Sequence, residues 1–298
     1  MLRPTIPAAL CVLALAFASS AHADENLLGY VRGAETIPKG GSELYLKATQ
    51  RADKGEGRYR ANDYEIEYEY GVSDRFNISG ALQAMSLDTS GLVINGYLPG
   101  DRNFGLRASG VEVSGKYNVL RPAADGLGLT LRGALDYQWI DPHSGRDKDT
   151  VSAEFDLLAQ KYFLDAQLVW VGNLGLEATW ADRAPIAGLP AGFEWPTDPE
   201  VELELKAGTG VSYRFAPKWY VGAEALYETE FETEVGQERW SVFAGPSLHY
   251  GSRGWWATLT YLPQIRGGGE RYDSQRDAGL HLIEKTRHEA RLKVGFNF

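Results

Sequence analysis

The chain ends in the stretch Ala290-Arg291-Leu292-Lys293-Val294-Gly295-Phe296-Asn297-Phe298. Successive side chains of a β-strand point to opposite sides, so this stretch has an apolar side and a polar side. A strand of this kind fits a closed membrane barrel, in which the apolar side meets lipid and the polar side meets the lumen. The first strand of the barrel would then cover the edge that the last strand exposes. The alternative is an ordinary amphipathic strand of a soluble protein.

An aromatic end on the last strand resembles the assembly signal of bacterial outer-membrane barrels. Phe296 and Phe298 lie on the apolar side and are the expected signal residues. We therefore expect the barrel assembly machinery to be a partner of the chain.

The other end of the sequence predicts a secretory signal peptide over residues 1–23. Arg3 supplies a positive charge, residues 6–17 form an apolar run, and Ala21-His22-Ala23 matches the small-x-small cleavage pattern. The mature chain would begin at Asp24. Cys11 is the single cysteine and lies in this peptide, so the mature chain is expected to lack disulfides, thiol nucleophiles and thiolate metal sites.

The composition is acidic and rich in aromatic residues. Asp and Glu number 40 against 30 Lys and Arg, which gives a formal net charge of −10. This balance argues against nucleic acid as a partner, because phosphate binding needs clustered basic residues. The 16 Tyr and 8 Trp suit the aromatic girdles of a membrane barrel.

Amphipathic segments recur along the chain at the length of a barrel strand, about 10 residues or more. Twelve strands are predicted, at 42–53, 59–72, 76–88, 105–120, 127–140, 150–163, 166–182, 201–215, 219–232, 239–251, 255–266 and 286–298. Short connections alternate with mostly longer, polar ones, as periplasmic turns and extracellular loops do. The predicted fold is an all-β, transmembrane, antiparallel up-and-down barrel at 42–298, preceded by a periplasmic segment at 24–41.

The mature chain as a whole resembles a proteobacterial family of uncharacterised outer-membrane β-barrel proteins. The resemblance is carried by residues 25–30, 37–40, 192–200 and 228–240 and by the terminal strand. It implies the barrel fold and a place in the outer membrane of a Gram-negative bacterium, with lipid and lipopolysaccharide around the barrel. It implies no activity.

Acidic residues meet on the predicted inner face of strands eight and nine. A turn at 216–218 makes residues whose numbers sum to about 434 face each other. The predicted pairs are Glu202 with Glu232, Glu204 with Glu230, and Lys206 with Glu228. Opposed like charges destabilise a sheet, so a cation should compensate them.

Three interpretations of this acidic group remain open at the level of sequence. Arg239 is the nearest cationic side chain, and a divalent cation or a cationic solute in transit is the second source of charge. The third interpretation is an acidic rim open to solvent. The candidate binding residues are Glu202, Glu204, Lys206, Glu228, Glu230, Glu232 and Arg239; beyond the divalent cation no cofactor is expected.

Catalytic signatures are weak. His143-Ser144 superficially resembles the residues of outer-membrane phospholipases, but neighbours on a strand face opposite ways. Asp141, Asp147 and Asp149 lack the spacing of an EF-hand. Gly267-Gly268-Gly269 is expected to start an external loop and is no phosphate cradle. No catalytic residue is predicted.

A narrow channel or selective uptake protein for small solutes, with an acidic outer mouth that favours cations, is the predicted function. Twelve strands enclose more space than a filled eight-stranded barrel and less than a porin. The alternatives are a lipid-modifying or proteolytic outer-membrane enzyme and a non-conducting structural or adhesion barrel.

Overall fold

The computed structural model describes residues 26–94, 100–189, 191, 195, 197–232 and 236–298. Twelve antiparallel strands form one sheet, which confirms the predicted fold and strand number. The strands are β1 Ser42–Ala52, β2 Glu56–Ser73, β3 Phe76–Val93, β4 Asn103–Leu120, β5 Gly128–Ile140, β6 Asp147–Phe163, β7 Leu168–Arg183, β8 Glu200–Ala216, β9 Trp219–Glu232, β10 Gly236–Gly251, β11 Trp255–Gly269 and β12 His288–Asn297.

The sheet closes on itself because β12 pairs with β1. The main-chain N–H of Phe298 donates to the oxygen of Ser42 at 2.9 Å, and the N–H of Ser42 donates to the oxygen of Phe298 at 3.3 Å. Every strand therefore has two hydrogen-bonded neighbours, as a sheet without water around it requires.

Alternating side chains divide the strands into an outer apolar face and an inner polar face. On β8, Leu203 and Leu205 point outward and are 45% and 46% exposed, while Glu204 and Lys206 between them point inward and are half-buried. The outer face is where lipid would lie, and the inner face lines the lumen. The alternation predicted from the sequence is confirmed on this strand.

The two ends of the barrel differ in their connections. The short-turn end carries the connections at 74–75, 121–127, 164–167, 217–218 and 252–254. At 217–218, Lys218 adopts a left-handed φ of 70° that completes the tight turn. The opposite, long-loop end carries the longest described connection, 270–287. Gly267–Gly269, expected to start that loop, instead lie in β11 and pair with β10, because the strand extends beyond its apolar pattern.

A single short helix, α1 Pro122–Asp125, occurs among the described residues. No helix in the described ranges is long and apolar enough to span a membrane.

Two segments of the chain fill the lumen. Residues 26–34, here named the luminal segment, place Leu27, Leu28 and Val31 against inward side chains of β7. The connection 270–287, here named the inward loop, packs Leu280, Leu282 and Ile283 against the long-loop ends of β2 and β3. Segments of the chain therefore occupy the lumen towards both ends, and they are called closures below.

Candidate functional site

The acidic group predicted on β8 and β9 has the predicted register. Glu202 lies opposite Glu232, Glu204 opposite Glu230 and Lys206 opposite Glu228. The pairing follows from the two-residue turn at 217–218, which fixes the number of residues on each side. The side chain of Glu232 is outside the described part of the structure. We name the remaining predicted binding residues the mouth cluster: Glu202, Glu204, Lys206, Glu228, Glu230 and Arg239.

A lysine from the inward loop compensates the mouth cluster. The Nζ of Lys285 lies 2.8 Å from Glu228, 3.3 Å from Glu204 and 3.5 Å from Glu230. It is therefore the shared counter-charge of three carboxylates that two strands bring together. The sequence analysis did not find this residue, because the loop that carries it has no periodic pattern.

Arg239, the cation predicted to be nearest, also enters the cluster. Its Nε donates to Glu230, and its remaining nitrogens lie 2.7 Å from Glu238, 2.7 Å from Glu284 and 3.9 Å from Glu202. Glu284 belongs to the inward loop. The loop thus contributes both a carboxylate for Arg239 and an ammonium for the glutamates.

The mouth cluster is mostly shielded from solvent. The carboxylate side chains of Glu202, Glu204, Glu228 and Glu230 are 10–22% exposed. An acidic rim open to solvent does not match this burial. Among the described residues, no group of three or more His, Cys, Asp or Glu is placed to hold a metal ion, and the divalent cation stays an untested expectation.

The inward loop is held by apolar packing as well as by charge. Leu280, Leu282 and Ile283 join a buried cluster that includes Tyr59 and Ile94. The side chain of Gln264 donates to the oxygens of His281 and Thr286 at 2.9 Å and 3.2 Å, and its oxygen accepts the N–H of His281 at 2.7 Å.

The imidazole of His281 is buried in the loop. Burial, and then the charges of Arg239, Lys285 and Lys54, lower the pKa of His281 to about 3. Its Nε2 accepts the main-chain N–H of Glu284 at 3.4 Å, which requires the neutral ring. The closed loop therefore disfavours protonation of this histidine.

Residues 24–41, predicted from the sequence to be a periplasmic segment, are placed differently by the structure over 26–34. The carboxylate of Glu224 on β9 accepts three consecutive main-chain N–H groups, those of Gly29, Tyr30 and Val31, at 2.8–2.9 Å. Thr260 donates to the same carboxylate at 2.8 Å. An irregular segment can lie in the lumen only if its backbone is satisfied in this way.

Amide side chains of the wall hold the rest of the luminal segment. Asn173 accepts the N–H of Arg32 at 2.7 Å and donates to its oxygen at 2.8 Å, as an adjacent strand would. Gln160 accepts the N–H of Ala34 at 2.8 Å, and Asn118 donates to its oxygen at 2.6 Å. No local pattern in the sequence signals this arrangement, because the amides lie 84–141 residues from the groups they contact.

A chamber of about 460 Å³ lies between the luminal segment and the inward loop. Its lining combines charged, polar and apolar residues. Residues from both closures and from the wall contribute, including Tyr30, Arg32, Lys47, Lys285, Glu289 and Arg291. A volume of this size matches small-molecule sites in other proteins, about 300–1,000 Å³.

Most of the wall charges around the chamber are paired. Arg132 lies 2.5 Å from Glu112, 2.6 Å from Glu154 and 2.9 Å from Asp156. Lys47 lies 2.5 Å and 2.8 Å from two glutamates of β2. These pairs rigidify the wall and leave few charges available to a solute.

The residues considered for catalysis do not form a reactive pair. The carboxylate of Asp141 accepts the hydroxyl of Ser144 at 2.5 Å and the main-chain N–H of His143 at 3.0 Å. The serine therefore bonds to the acid and not to the imidazole, so the order of a hydrolytic triad is absent at this loop. Burial and nearby cations, Lys54 first, lower the pKa of His143 well below its usual range.

Phe296 and Phe298, the predicted assembly residues, are 36% and 76% exposed on the outer face at the short-turn end. Phe296 pairs with Leu44 on one side and Trp255 on the other. Their role as an assembly signal stays a prediction.

The sequence matches the model of a family described as a family of unknown function (DUF6662) over residues 20–298. Because the match covers most of the chain, the protein belongs to this family. The resemblance to an uncharacterised barrel family is thereby confirmed. No curated protein matches the sequence.

Solved structures share the fold at low identity. The COG4313 outer membrane channel from Pseudomonas putida F1 is similar with a TM-score of 0.57 and 11% identity, over 89% of this chain and 98% of the channel. The β domain of the Bordetella autotransporter Brka gives 0.53 and 15%, over 87% and 100%. The translocator domain of the autotransporter NalP from Neisseria meningitidis gives 0.51 and 14%, over 87% and 88%. These similarities show an outer-membrane barrel fold.

Proposed function

We propose that this barrel is a narrow, gated channel for the uptake of small polar solutes across the outer membrane. The observation that carries the proposal is the charged chamber of about 460 Å³ between two closures. Neither closure is a strand of the barrel. Each is a connecting or terminal segment held by side chains, and such a segment can leave its place without breaking the sheet.

The charge of the mouth cluster supports a preference for cations at the long-loop end. The described carboxylates around the cluster outnumber the cations that pair with them, Lys206, Arg239 and Lys285. A net negative entrance concentrates cations within a Debye length, about 8 Å at physiological salt. The protein's own cations make this preference weaker than the sequence alone suggested.

The luminal segment is the proposed gate. Its main chain is held by hydrogen bonds to Glu224, Asn173 and Gln160. Water can replace such bonds at small net cost, because each contributes only about 0.5–1.5 kcal/mol, or somewhat more to a charged group. The segment also buries Leu27, Leu28 and Val31, but among the described residues it makes no ion pair with the wall. The inward loop adds ion pairs to its apolar packing, so the luminal segment suits reversible opening better.

A cysteine lock tests the gate. A Cβ atom built at Gly208 lies 3.2 Å from a methyl carbon of Val31, within reach of a disulfide between these positions. The double variant Val31→Cys/Gly208→Cys is made in the background of Glu224→Gln, which weakens the gate. Planar-bilayer recordings should show steps of current under reducing conditions. Oxidation should abolish these steps, because the disulfide ties the luminal segment to β8.

Each single cysteine variant is the matched control, since it has the same side-chain change without the bond. Single variants should respond to neither oxidant nor reductant. If Glu224→Gln protein conducts nothing under any condition, the channel proposal fails and a non-conducting barrel is favoured. If current survives the oxidised lock, the luminal segment is not the gate.

The membrane location and the partners of the barrel are proposed from its fold and from the predicted targeting signals. The exposed apolar outer face suits outer-membrane lipid and lipopolysaccharide, and the terminal strand suits the barrel assembly machinery. The enzyme alternative gains no support from the described residues, because the Ser144 hydroxyl donates to the Asp141 carboxylate and does not contact the imidazole of His143.

A further inference from the structure

Two opposite charges on β12 face the chamber without pairing. Glu289 and Arg291 both point inward, two residues apart, and the described structure contains no ion pair between them. Both contact Tyr30 of the luminal segment instead. The Tyr30 hydroxyl donates to Glu289 at 2.9 Å, and the Arg291 guanidinium stacks 3.8 Å above the centre of the Tyr30 ring.

The remaining hydrogen bonds of Arg291 go to neutral groups. Its Nε donates to the hydroxyl of Thr49 at 2.8 Å, and an Nη donates to the oxygen of Gly29 at 3.4 Å. The guanidinium has five N–H groups, so donors remain for a ligand. Glu289 likewise has no basic side chain at ion-pair distance among the described residues, and its partner is a phenol.

A second guanidinium lines the same chamber without a partner. Arg32 is anchored by its backbone to Asn173, while its side chain has no hydrogen bond or ion pair with any residue that the structure describes. The carboxylates whose charges act on it include Glu112 and Asp156. Both already pair with Arg132.

The chamber is therefore left with unpaired charge of both signs. Arg32, Glu289 and Arg291 are half-buried, so an unpaired charge of either sign there carries part of the cost of a buried one. A ligand that carries both charges would lower both costs, whereas an ion of one sign would compensate only one side. The other charged groups nearby, such as Lys285 and Lys206, are already paired.

We propose that the chamber binds a small zwitterion, a solute with one amine and one carboxylate. The amine would contact Glu289, and the carboxylate would accept hydrogen bonds from Arg291 and Arg32. This inference rests on the proposed function for its role in transport. Binding needs only one closure to open, whereas conduction needs both. The zwitterion is the class of solute that the channel would select.

Calorimetric titration of the detergent-solubilised full chain tests the site with a matched set of probes. β-Alanine carries both charges, β-alaninamide only the positive one and N-acetyl-β-alanine only the negative one. Glycine and 4-aminobutyrate vary the distance between the charges. At least one zwitterion should bind saturably and at least about tenfold more tightly than its two singly charged derivatives, because a charged hydrogen bond is lost in each of them.

Variants assign the two halves of the site. Glu289→Gln should abolish the advantage of the zwitterion over the N-acetyl probe, and Arg32→Gln its advantage over the amide. Arg32 makes no side-chain bond in the described structure, so its variant should fold as the native chain does, and heat-modifiability on gels checks this. Arg58→Gln and Asp88→Asn are the controls, since they break an exposed ion pair at 2.7 Å outside the chamber.

The outcomes separate this inference from the channel itself. Equal affinity for all three β-alanine probes, no saturable binding, or equal losses in the control variants would overturn the zwitterion site. If the zwitterion site is overturned but oxidation of the cysteine pair still abolishes conductance, the channel proposal is supported without the site. Zwitterion binding that depends on Arg32 and Glu289, in protein that never conducts, supports the site and rejects the channel.

Discussion

The luminal segment and the inward loop close one lumen with different chemistry. The luminal segment presents its backbone to polar side chains of the wall, above all to Glu224. The inward loop presents side chains, with an apolar face towards Ile94 and charged groups towards the mouth cluster. Both segments bury apolar side chains, in the luminal segment those of Leu27, Leu28 and Val31. The difference lies in the ion pairs of the inward loop, which are harder to exchange for water than main-chain hydrogen bonds are.

The two closures therefore have different proposed roles. The inward loop is the more stable one and shapes the outer entrance, while the luminal segment is the one that moves. Because the two segments are far apart in sequence and contact the chamber from opposite sides, substitutions in one can be tested against the other in the same sample.

The largest effect is expected from Lys285→Gln. The change leaves Glu204, Glu228 and Glu230 without their shared cation, and breaking a buried ion pair by removing one partner costs about 3–5 kcal/mol. Amide hydrogen exchange of His281 and Glu284 should accelerate accordingly, while the amides of residues 29–31 should not change. Arg58→Gln, at an exposed pair, should have an effect below about 1 kcal/mol.

The same lysine allows the acidic pair to be tested. Glu204→Gln/Glu230→Gln should reduce the preference for cations in reversal-potential measurements, most clearly at low salt. In the Lys285→Gln background these changes should recover part of the lost loop stability, because they remove the repulsion that the lysine compensated. Absence of recovery would mean that Lys285 acts through packing rather than charge.

The next effect is expected from Glu224→Gln. The amide retains one acceptor oxygen but turns a donor towards main-chain N–H groups, and lost hydrogen bonds to a charged group contribute about 1.5–3 kcal/mol. Exchange of the Gly29, Tyr30 and Val31 amides should accelerate by at least about tenfold, with the inward loop unchanged. Acceleration in both segments would show that they open together, and the comparison would fail.

Periodic parts of this molecule were predictable, and through-space contacts of its irregular parts were not. The alternation on β8 and the short turn at 217–218 together determine which residues face Glu228 and Glu230, so the register followed from the sequence. Lys285 reaches Glu204 across 81 residues of chain, and Gly29 reaches Glu224 across 195. No local pattern encodes such a contact, since it depends on how the loop folds inside the closed barrel.

Of the cations that pair with the mouth-cluster carboxylates, Arg239 was predictable from the sequence and Lys285 was not. Arg239 was predictable because it lies across one hairpin from Glu230. The sequence predicts a periplasmic place for residues 24–41, whereas the main chain of Gly29 and Arg32 bonds to Glu224 and Asn173 of the barrel wall. The apolar residues of the luminal segment, Leu27, Leu28 and Val31, were the available signal, since a segment exposed to the periplasm would not need them.

A smaller effect is expected from acid pH on the inward loop. The pKa of His281 is lowered to about 3 in the closed loop, while an exposed histidine has about 6.5. Below pH 6.5 the open loop binds a proton that the closed loop does not, so closure loses stability as the pH falls from about 6.5 towards 3. At pH 5 the contribution of His281 to this loss is about 2 kcal/mol. Burial raises the pKa of Glu284 in the same loop to about 7, which opposes the loss, so a variant of His281 is needed to isolate the histidine.

The measurement is the exchange of loop amides at pH 7 and pH 5, corrected for the intrinsic rate and compared with residues 29–31. His281→Gln, which does not titrate, is the control. Its loop amides should not show the additional acceleration between pH 7 and pH 5 that the native loop shows. If the native loop and the variant respond equally, other groups govern the pH dependence.

The smallest effect is expected from Gln160→Met, at the far end of the luminal segment. The change removes two neutral hydrogen bonds, one from the N–H of Ala34 at 2.8 Å and one to the hydroxyl of Tyr162 at 2.9 Å. The bond to Ala34 is the one that holds the segment, and about 1 kcal/mol is expected from its loss. What matters is where the effect is seen. If the segment leaves the wall as one unit, the amides of Gly29 and Val31 should exchange faster in Gln160→Met, although they lie at Glu224 and not at Gln160. If it opens in parts, only Ala34 and its neighbours should respond.

A segment that opens as a single unit would also make the effects of Gln160→Met and Glu224→Gln on the free energy of opening add at every amide, as expected for sites that share no partner. Such a gate has two states, whereas an effect confined to Ala34 would indicate a segment that frays from one end.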